Sequence, residues 1–241
     1  MTQPSVSPHH LSDSFQISSQ PDEMTCGPTC LHAVYHYYGL DMPLNRLIEE
    51  IPQLEDGGTL AVNLANHALA HGFEASIISY NLQIFDPTWF KEYGTDFKQK
   101  LKEQTRVKAD RKLRRATQDY LEFLDLGGIV THEEMSPALL ASLLDSDIPI
   151  LTGLSATYLY NCAREFASDF DDVRGSPEGH FVVLCGFDHQ NGLITVADPL
   201  LPNPVSGSQK YQVPVDRVIA SILLGALTYD ANLTIIQPRE E

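Results

Sequence analysis

Helical patterns fill most of the chain up to Leu144, and short β-branched strands dominate from Ile148 onward. The two kinds of element do not alternate regularly. These observations predict an α+β domain in which N-terminal helices pack on a mostly antiparallel sheet. A length of 241 residues suits one well-packed domain. The division read from composition is a flexible N-terminal tail over 1–15 and a single domain over 16–241, with a charged helical insertion at about 86–126. There is no internal repeat.

In chain order, residues 1–15 are rich in Ser, Pro and Gln and read as loose. Gly27–Tyr38 reads as a helix: Pro28 suits a first turn, Leu31, Val34, Tyr35 and Tyr38 share a face, and Gly39 stops it. Pro43–Ile51 and Thr59–His71 read as two further helices, the second ended by Gly72. A first strand follows at Phe73–Tyr80. Pro87 to about Leu126 is charged and helical, broken at Gly94. Ser136-Pro137 opens a helix to Leu144, the serine accepting from first-turn amides and the proline needing no donor there. Strands are predicted at Ile148–Ser155, His180–Phe187, Leu193–Ala197, Tyr211–Val213 and Leu233–Gln237, with a helix at Val215–Leu224.

Composition excludes several classes. A formal net charge of −16 repels nucleic acid and anionic lipid surfaces, so neither is expected as a partner. No stretch approaches the roughly 20 apolar residues of a membrane span. Met1–Ser19 is polar, carries no Lys or Arg and lacks an apolar run, so a cytoplasmic protein is expected. Four cysteines are too few for a disulfide scaffold and are expected as free thiols.

Three local patterns carry chemistry. In Gln20-Pro-Asp-Glu-Met-Thr-Cys26-Gly-Pro-Thr-Cys30, Cys26 stands at a helix start. Unpaired amides and the positive end of the helix dipole there favour a nucleophilic thiolate. Gly27 lets a substrate carbonyl come close to the backbone, the Cys26 amide can face a developing oxyanion, and the Gln20 side-chain amide could add a second donor. Taken alone, Cys26 reads equally well as a small buried hydrophobe. In Gly179-His180-Phe-Val-Val-Leu, the histidine opens an apolar strand after the loop Gly175–Gly179; a lone histidine there is more often structural. In Ile194-Thr-Val-Ala-Asp198-Pro199, the aspartate ends the next strand, where Asp-Pro also serves turns. A hairpin through His189–Gly192 would run the two strands antiparallel and set Asp198 beside His180. The carboxylate would then accept one ring N–H and leave the other nitrogen for the thiol proton. The combination points to nucleophilic catalysis more strongly than any of its parts.

Gln20 to Gly39, with Cys-Gly-Pro-Thr-Cys and a Tyr-Tyr-Gly helix end, resembles the bacteriocin-processing, double-glycine-leader cysteine peptidases of the papain-like superfamily. Gly-His-Phe-Val-Val-Leu and Ala-Asp-Pro match the second half of that motif. Gly58-Thr59 through Gly72-Phe73, and Leu139–Ile150 before a Pro-Ile-Leu strand, are weaker matches in the same order. The resemblance implies a papain-like fold, Cys26 as nucleophile, His180 as general base and acid, Asp198 as its orienting partner and Gln20 as oxyanion donor. It implies no cofactor and no metal. Family members that cut leaders are usually fused to a transporter and an ATPase, which this chain lacks. It is therefore most similar to the stand-alone branch, acting on a peptide or protein substrate.

Ten of the sixteen Lys and Arg lie between Lys91 and Arg115. The plainer reading is a solvated helical face that partly neutralises its own domain; the sharper one is a lid, or a dock for an acidic substrate or partner. Lys98, Lys102 and Arg106 share one helical face, and Lys108, Lys112 and Arg115 another. Cys30, Cys162 and Cys185 read as structural. A zinc site from Cys26, Cys30, His180 and Cys185 lacks paired-ligand spacing, and the His9-His10 pair reads as incidental. Peptide-bond hydrolysis through a thioester is the leading function. The same thioester could serve an acyltransferase or transpeptidase, and a non-catalytic peptide-binding module would not need all three residues.

Overall fold

A computed structural model describes residues 11–54, 57–91 and 93–239. Nine α-helices are found among them: α1 Leu11–Ser14, α2 Cys26–Tyr37, α3 Leu44–Glu50, α4 Ala61–Ala70, α5 Phe97–Val107, α6 Arg111–Asp125, α7 Pro137–Leu144, α8 Ala156–Tyr160 and α9 Val215–Leu224. Nine strands accompany them: β1 Phe73–Ser79, β2 Ile129–Thr131, β3 Ile150–Ser155, β4 Glu165–Phe166, β5 Asp169–Phe170, β6 Gly179–Asp188, β7 Leu193–Ala197, β8 Lys210–Pro214 and β9 Asn232–Pro238. Seven strands form one sheet in the order β2-β1-β9-β3-β6-β7-β8, and β4 and β5 form a separate small hairpin. Only the β1–β2 pair is parallel, so the sheet is mostly antiparallel and the α+β class holds.

The sheet positions the site through β6. His180 to Cys185 are six consecutive buried residues, so this strand is covered on both faces. Helix α2 lies against it, and the Cys30 thiol donates to the Phe181 carbonyl oxygen at 3.3 Å. Strand β7 returns antiparallel to β6 through residues 189–192, with Val183 opposite Ala197 and a bulge between Leu184 and Gly186. The bulge takes Cys185 out of simple alternation along the strand.

Helix α6 backs α4, where Asn66 Nδ2 donates to the Asp119 carbonyl oxygen at 3.0 Å. Asp96 and Asp110 each accept a first-turn amide, so α5 and α6 begin at side-chain caps. Strand β3 begins two residues after the expected Ile148, because the Ile148 amide donates to the Leu143 carbonyl oxygen and closes α7.

Of the tail expected over 1–15, residues 1–10 lie outside the described residues. Leu11–Phe15 departs from the expectation. Leu11 and Phe15 are buried, and the Lys210 ammonium donates to the Ser12 and Phe15 carbonyl oxygens at 3.0 and 2.9 Å. Two apolar anchors and a partly buried cation tie this segment to the body. Among the described residues no helix is long and apolar enough to cross a membrane.

Candidate active site

Helix α2 starts at Cys26, one residue earlier than its apolar pattern indicated. The loop before it folds on itself: the Met24 amide donates to Asp22 Oδ1 at 2.8 Å, and the Thr25 hydroxyl to the Asp22 carbonyl oxygen at 3.1 Å. Thr25 is thereby occupied, and no side chain caps the helix. The first-turn amides and the positive end of the dipole are left facing the Cys26 side chain, which is only 8% exposed.

Across from it stands His180, also 8% exposed, at the start of β6. Its Nε2 lies 2.9 Å from Asp198 Oδ1. A carboxylate there needs a donor, so Nε2 carries hydrogen, and the hydrogen bond the ring makes with Cys26 falls to Nδ1. Burial opposes a charged ring. The hydrogen bonds to Asp198 and Cys26, together with their charges, outweigh it and raise the His180 pKa.

Asp198 is fully buried and has four donors. Oδ1 takes His180 Nε2 and the Leu200 amide, each at 2.9 Å. Oδ2 takes the Tyr160 hydroxyl at 2.9 Å and the Tyr211 hydroxyl at 2.6 Å. Burial alone would push this carboxyl up. The hydrogen bond and charge of His180, with the Tyr211 hydroxyl and Leu200 amide, hold it below the usual range instead. Burial and the Asp198 charge raise both tyrosines, which therefore remain neutral donors.

Tyr160 and Tyr211 escaped the sequence reading. Tyr160 arrives because α8 turns back directly after β3, its amide of Tyr158 capped by Ser155 Oγ and its end marked by Asn161 in the left-handed region. Tyr211 shows only as an apolar position of an alternating strand, which gives no hint that its hydroxyl reaches a carboxylate.

Gln20 lies against the same strand end, with its amide donating to the Pro199 carbonyl oxygen at 2.9 Å. Its side-chain Nε2 donates one hydrogen to the Asp22 carbonyl oxygen at 2.9 Å, and its buried Oε1 has no partner. Gly27 is buried. A Cβ there would come within 2.8 Å of Thr59 Cγ2 and 3.3 Å of Leu64 and Phe181 carbons, so close packing of α2 accounts for the glycine. Gly179 is exposed, and a Cβ there would meet Thr228 Oγ1 at 2.8 Å.

The remaining cysteines behave as packing groups. Burial, with the charges of Cys26 and Asp198, raises the Cys30 thiol well above the usual range. Burial lifts Cys185 to about 12 and also raises Cys162.

A cavity of about 170 Å³ opens between Gln53, Leu54 and Leu60 on one side and α6 and Thr228-Tyr229 on the other. Its lining includes Leu60, next to the Thr59 that touches Gly27, and Thr228, which touches Gly179. Arg111, Lys112 and Arg115 of α6 form another wall, Arg115 pairing with Asp119 at 3.1 Å. The volume suits one side chain rather than a whole ligand.

Comparison with known proteins places these features in context. The family model described as "Peptidase_C39 like family" matches residues 12–220. A solved structure of a C39-like peptidase from Bacillus anthracis is similar, with 14% identity over 96% of this chain and 98% of that one, at a TM-score of 0.53. The peptidase domain of Streptococcus ComA, a bi-functional ABC transporter, shares 14% identity over 93% of this chain and 99% of its own, at 0.45. Xylellain, a cysteine protease from Xylella fastidiosa, shares 15% over 96% and 85%, also at 0.45. No curated protein matches the chain in sequence.

Proposed function

The chain belongs to the C39-like peptidase family and is a cysteine-type peptidase with a papain-like fold, and from that premise we propose that it hydrolyses peptide bonds through a thioester on Cys26. The observation that carries the proposal is the buried His180–Asp198 pair set against the sulfur at an uncapped helix start.

A raised His180 pKa keeps a proton on the ring beside a nucleophilic sulfur. The sulfur attacks the substrate carbonyl carbon, and the electron pair moves to oxygen. The Cys26 amide and the second Nε2 hydrogen of Gln20 meet that oxyanion. The C–N bond then breaks, with the departing amine taking its proton from His180 Nδ1. Water attacks the thioester carbon and gives a proton to His180; the C–S bond then breaks, the electron pair returns to the Cys26 sulfur, and the carboxylic acid leaves. Asp198 remains ionised throughout and fixes the ring through Nε2.

Arg111, Lys112 and Arg115 on one wall of the cavity would favour a substrate peptide that carries an acidic side chain. Four free thiols suit a reducing, cytoplasmic setting. The test is hydrolysis of a quenched fluorescent peptide set by the wild-type protein and by Cys26→Ser. Loss of at least about 10³-fold in kcat on substitution is expected. Equal turnover by both would remove Cys26 from the reaction. Amide products formed only with added amine would reassign the thioester to acyl transfer.

A further inference from the structure

We propose that Glu50, His67 and His71 form a binding site for a divalent transition-metal ion of the zinc class, separate from the catalytic centre. His67 in the last turn of α4 and His71, its C-cap residue, stand one turn apart, and Glu50 ends α3, so two helices supply one imidazole pair and one carboxylate. One donor atom from each of the three lies within 4.8 Å of the other two. His67 Nε2 is 3.0 Å from Glu50 Oε2, and His71 Nε2 is 3.7 Å from the same oxygen.

The outer partners already suit ligation. His71 Nδ1 lies 2.8 Å from the His67 carbonyl oxygen, which makes it a donor and leaves the Nε2 lone pair facing Glu50. His67 Nδ1 is 2.8 Å from the Tyr35 hydroxyl of α2. Arg46 holds the other carboxylate oxygen, Oε1, at 2.7 Å, so Oε2 is the oxygen turned to the rings. Two imidazoles and a carboxylate select zinc, cobalt or nickel over magnesium or calcium. Bonds of about 2.0–2.2 Å allow donors at most about 4.4 Å apart, so a shift of under about 1 Å closes the site. The partly exposed His71 ring, stacked on His67 at 4.1 Å between centroids, can make that shift. Water completes the coordination from the exposed side.

The site is structural in character. Tyr35 lies nine positions beyond Cys26, about 13 Å along α2 at 1.5 Å per residue. A bound ion ties α3 to α4 across the loop that carries Thr59 and Leu60, and reaches α2 through Tyr35. It thus braces the wall behind Gly27 without touching the reacting atoms.

Chelator-treated full-length protein, titrated with Co²⁺ and Zn²⁺ in a Cys26→Ser background, tests this. The expected result is one equivalent of Co²⁺ with nitrogen and oxygen ligand-field bands, no thiolate charge-transfer band, and a Tm raised by Zn²⁺. Glu50→Gln and His71→Gln, both at accessible positions, should keep the metal-free far-UV spectrum and lose saturable binding. Tyr35→Phe should weaken binding about 10-fold. Absence of saturable binding, a thiolate band, or binding unchanged in both Glu50→Gln and His71→Gln would each overturn the assignment.

Discussion

Removing the Tyr211 hydroxyl should move the acid limb of catalysis upward. Asp198 sits in a dry site, where Tyr211 donates to it at 2.6 Å and Tyr160 at 2.9 Å. A hydrogen bond to a charged group contributes about 1.5–3 kcal/mol, and one pKa unit corresponds to about 1.4 kcal/mol. Loss of the Tyr211 donor should therefore raise the carboxyl pKa by about one to two units. The folded-state pKa of Asp198 is depressed, so the ionised form that orients His180 is present above that pKa and lost as pH falls through it. In Tyr211→Phe the loss begins at a higher pH. Tyr160→Phe should shift the limb less, because Tyr160 is half-buried and water can replace its hydroxyl, whereas Tyr211 is buried. The assay is kcat/KM on a fluorogenic peptide across pH, paired with the pH dependence of Cys26 alkylation. His180 and Asp198 share a hydrogen bond, so the limb belongs to the pair rather than to either residue. Superimposable profiles for Tyr211→Phe and wild type would refute the role given to this donor.

Other positions yield equally direct expectations. Burial lifts the Asp230 carboxyl to about 7, against about 3.9 in an unfolded chain. Between those values the folded protein holds a proton that the unfolded chain has released, so stability falls as pH rises. Asp230→Asn should therefore gain stability relative to wild type at pH 8 more than at pH 5 in urea denaturation, and a pH-independent difference would contradict this. Gly27→Ala forces a Cβ to 2.8 Å from Thr59 Cγ2 and should cost about 1–3 kcal/mol. Calorimetry should read this as a fall of about 2–4 °C in Tm per kcal/mol, and an unchanged Tm would show that Thr59 yields freely. The double change Arg111→Glu and Lys112→Glu should lower kcat/KM roughly 10-fold more for acidic peptides than for neutral ones, with the difference shrinking at high salt. Equal losses on both kinds of peptide would remove the charge preference.

What the sequence disclosed was local. Pro28 after Gly27 marked the start of α2, and two β-branched runs around a turn marked the β6–β7 hairpin, which placed Asp198 beside His180 before any coordinates. What it concealed depends on long-range geometry. Strand β2 is three residues long and exists because β1 offers a parallel edge, so no local periodicity announces it. Tyr160 and Tyr211 are aromatic residues in apolar company, and their role lies in where the hydroxyl ends up. His67 and His71 show a one-turn spacing in sequence, but Glu50 joins them only through the α3–α4 packing. Gly27 read in the sequence as room for close substrate approach, and its contacts with Thr59, Leu64 and Phe181 add close helix packing, which only the fold reveals.

The central claim is that Cys26, activated by His180, is the nucleophile. It is tested most directly by treating the protein with a peptide-like thiol-reactive electrophile and mapping the adduct by mass spectrometry, with and without His180→Ala. The expected result is rapid labelling at Cys26 alone, slowed by orders of magnitude in the variant. Labelling at Cys30, Cys162 or Cys185 in preference to Cys26, or labelling of Cys26 that ignores His180, would contradict the mechanism.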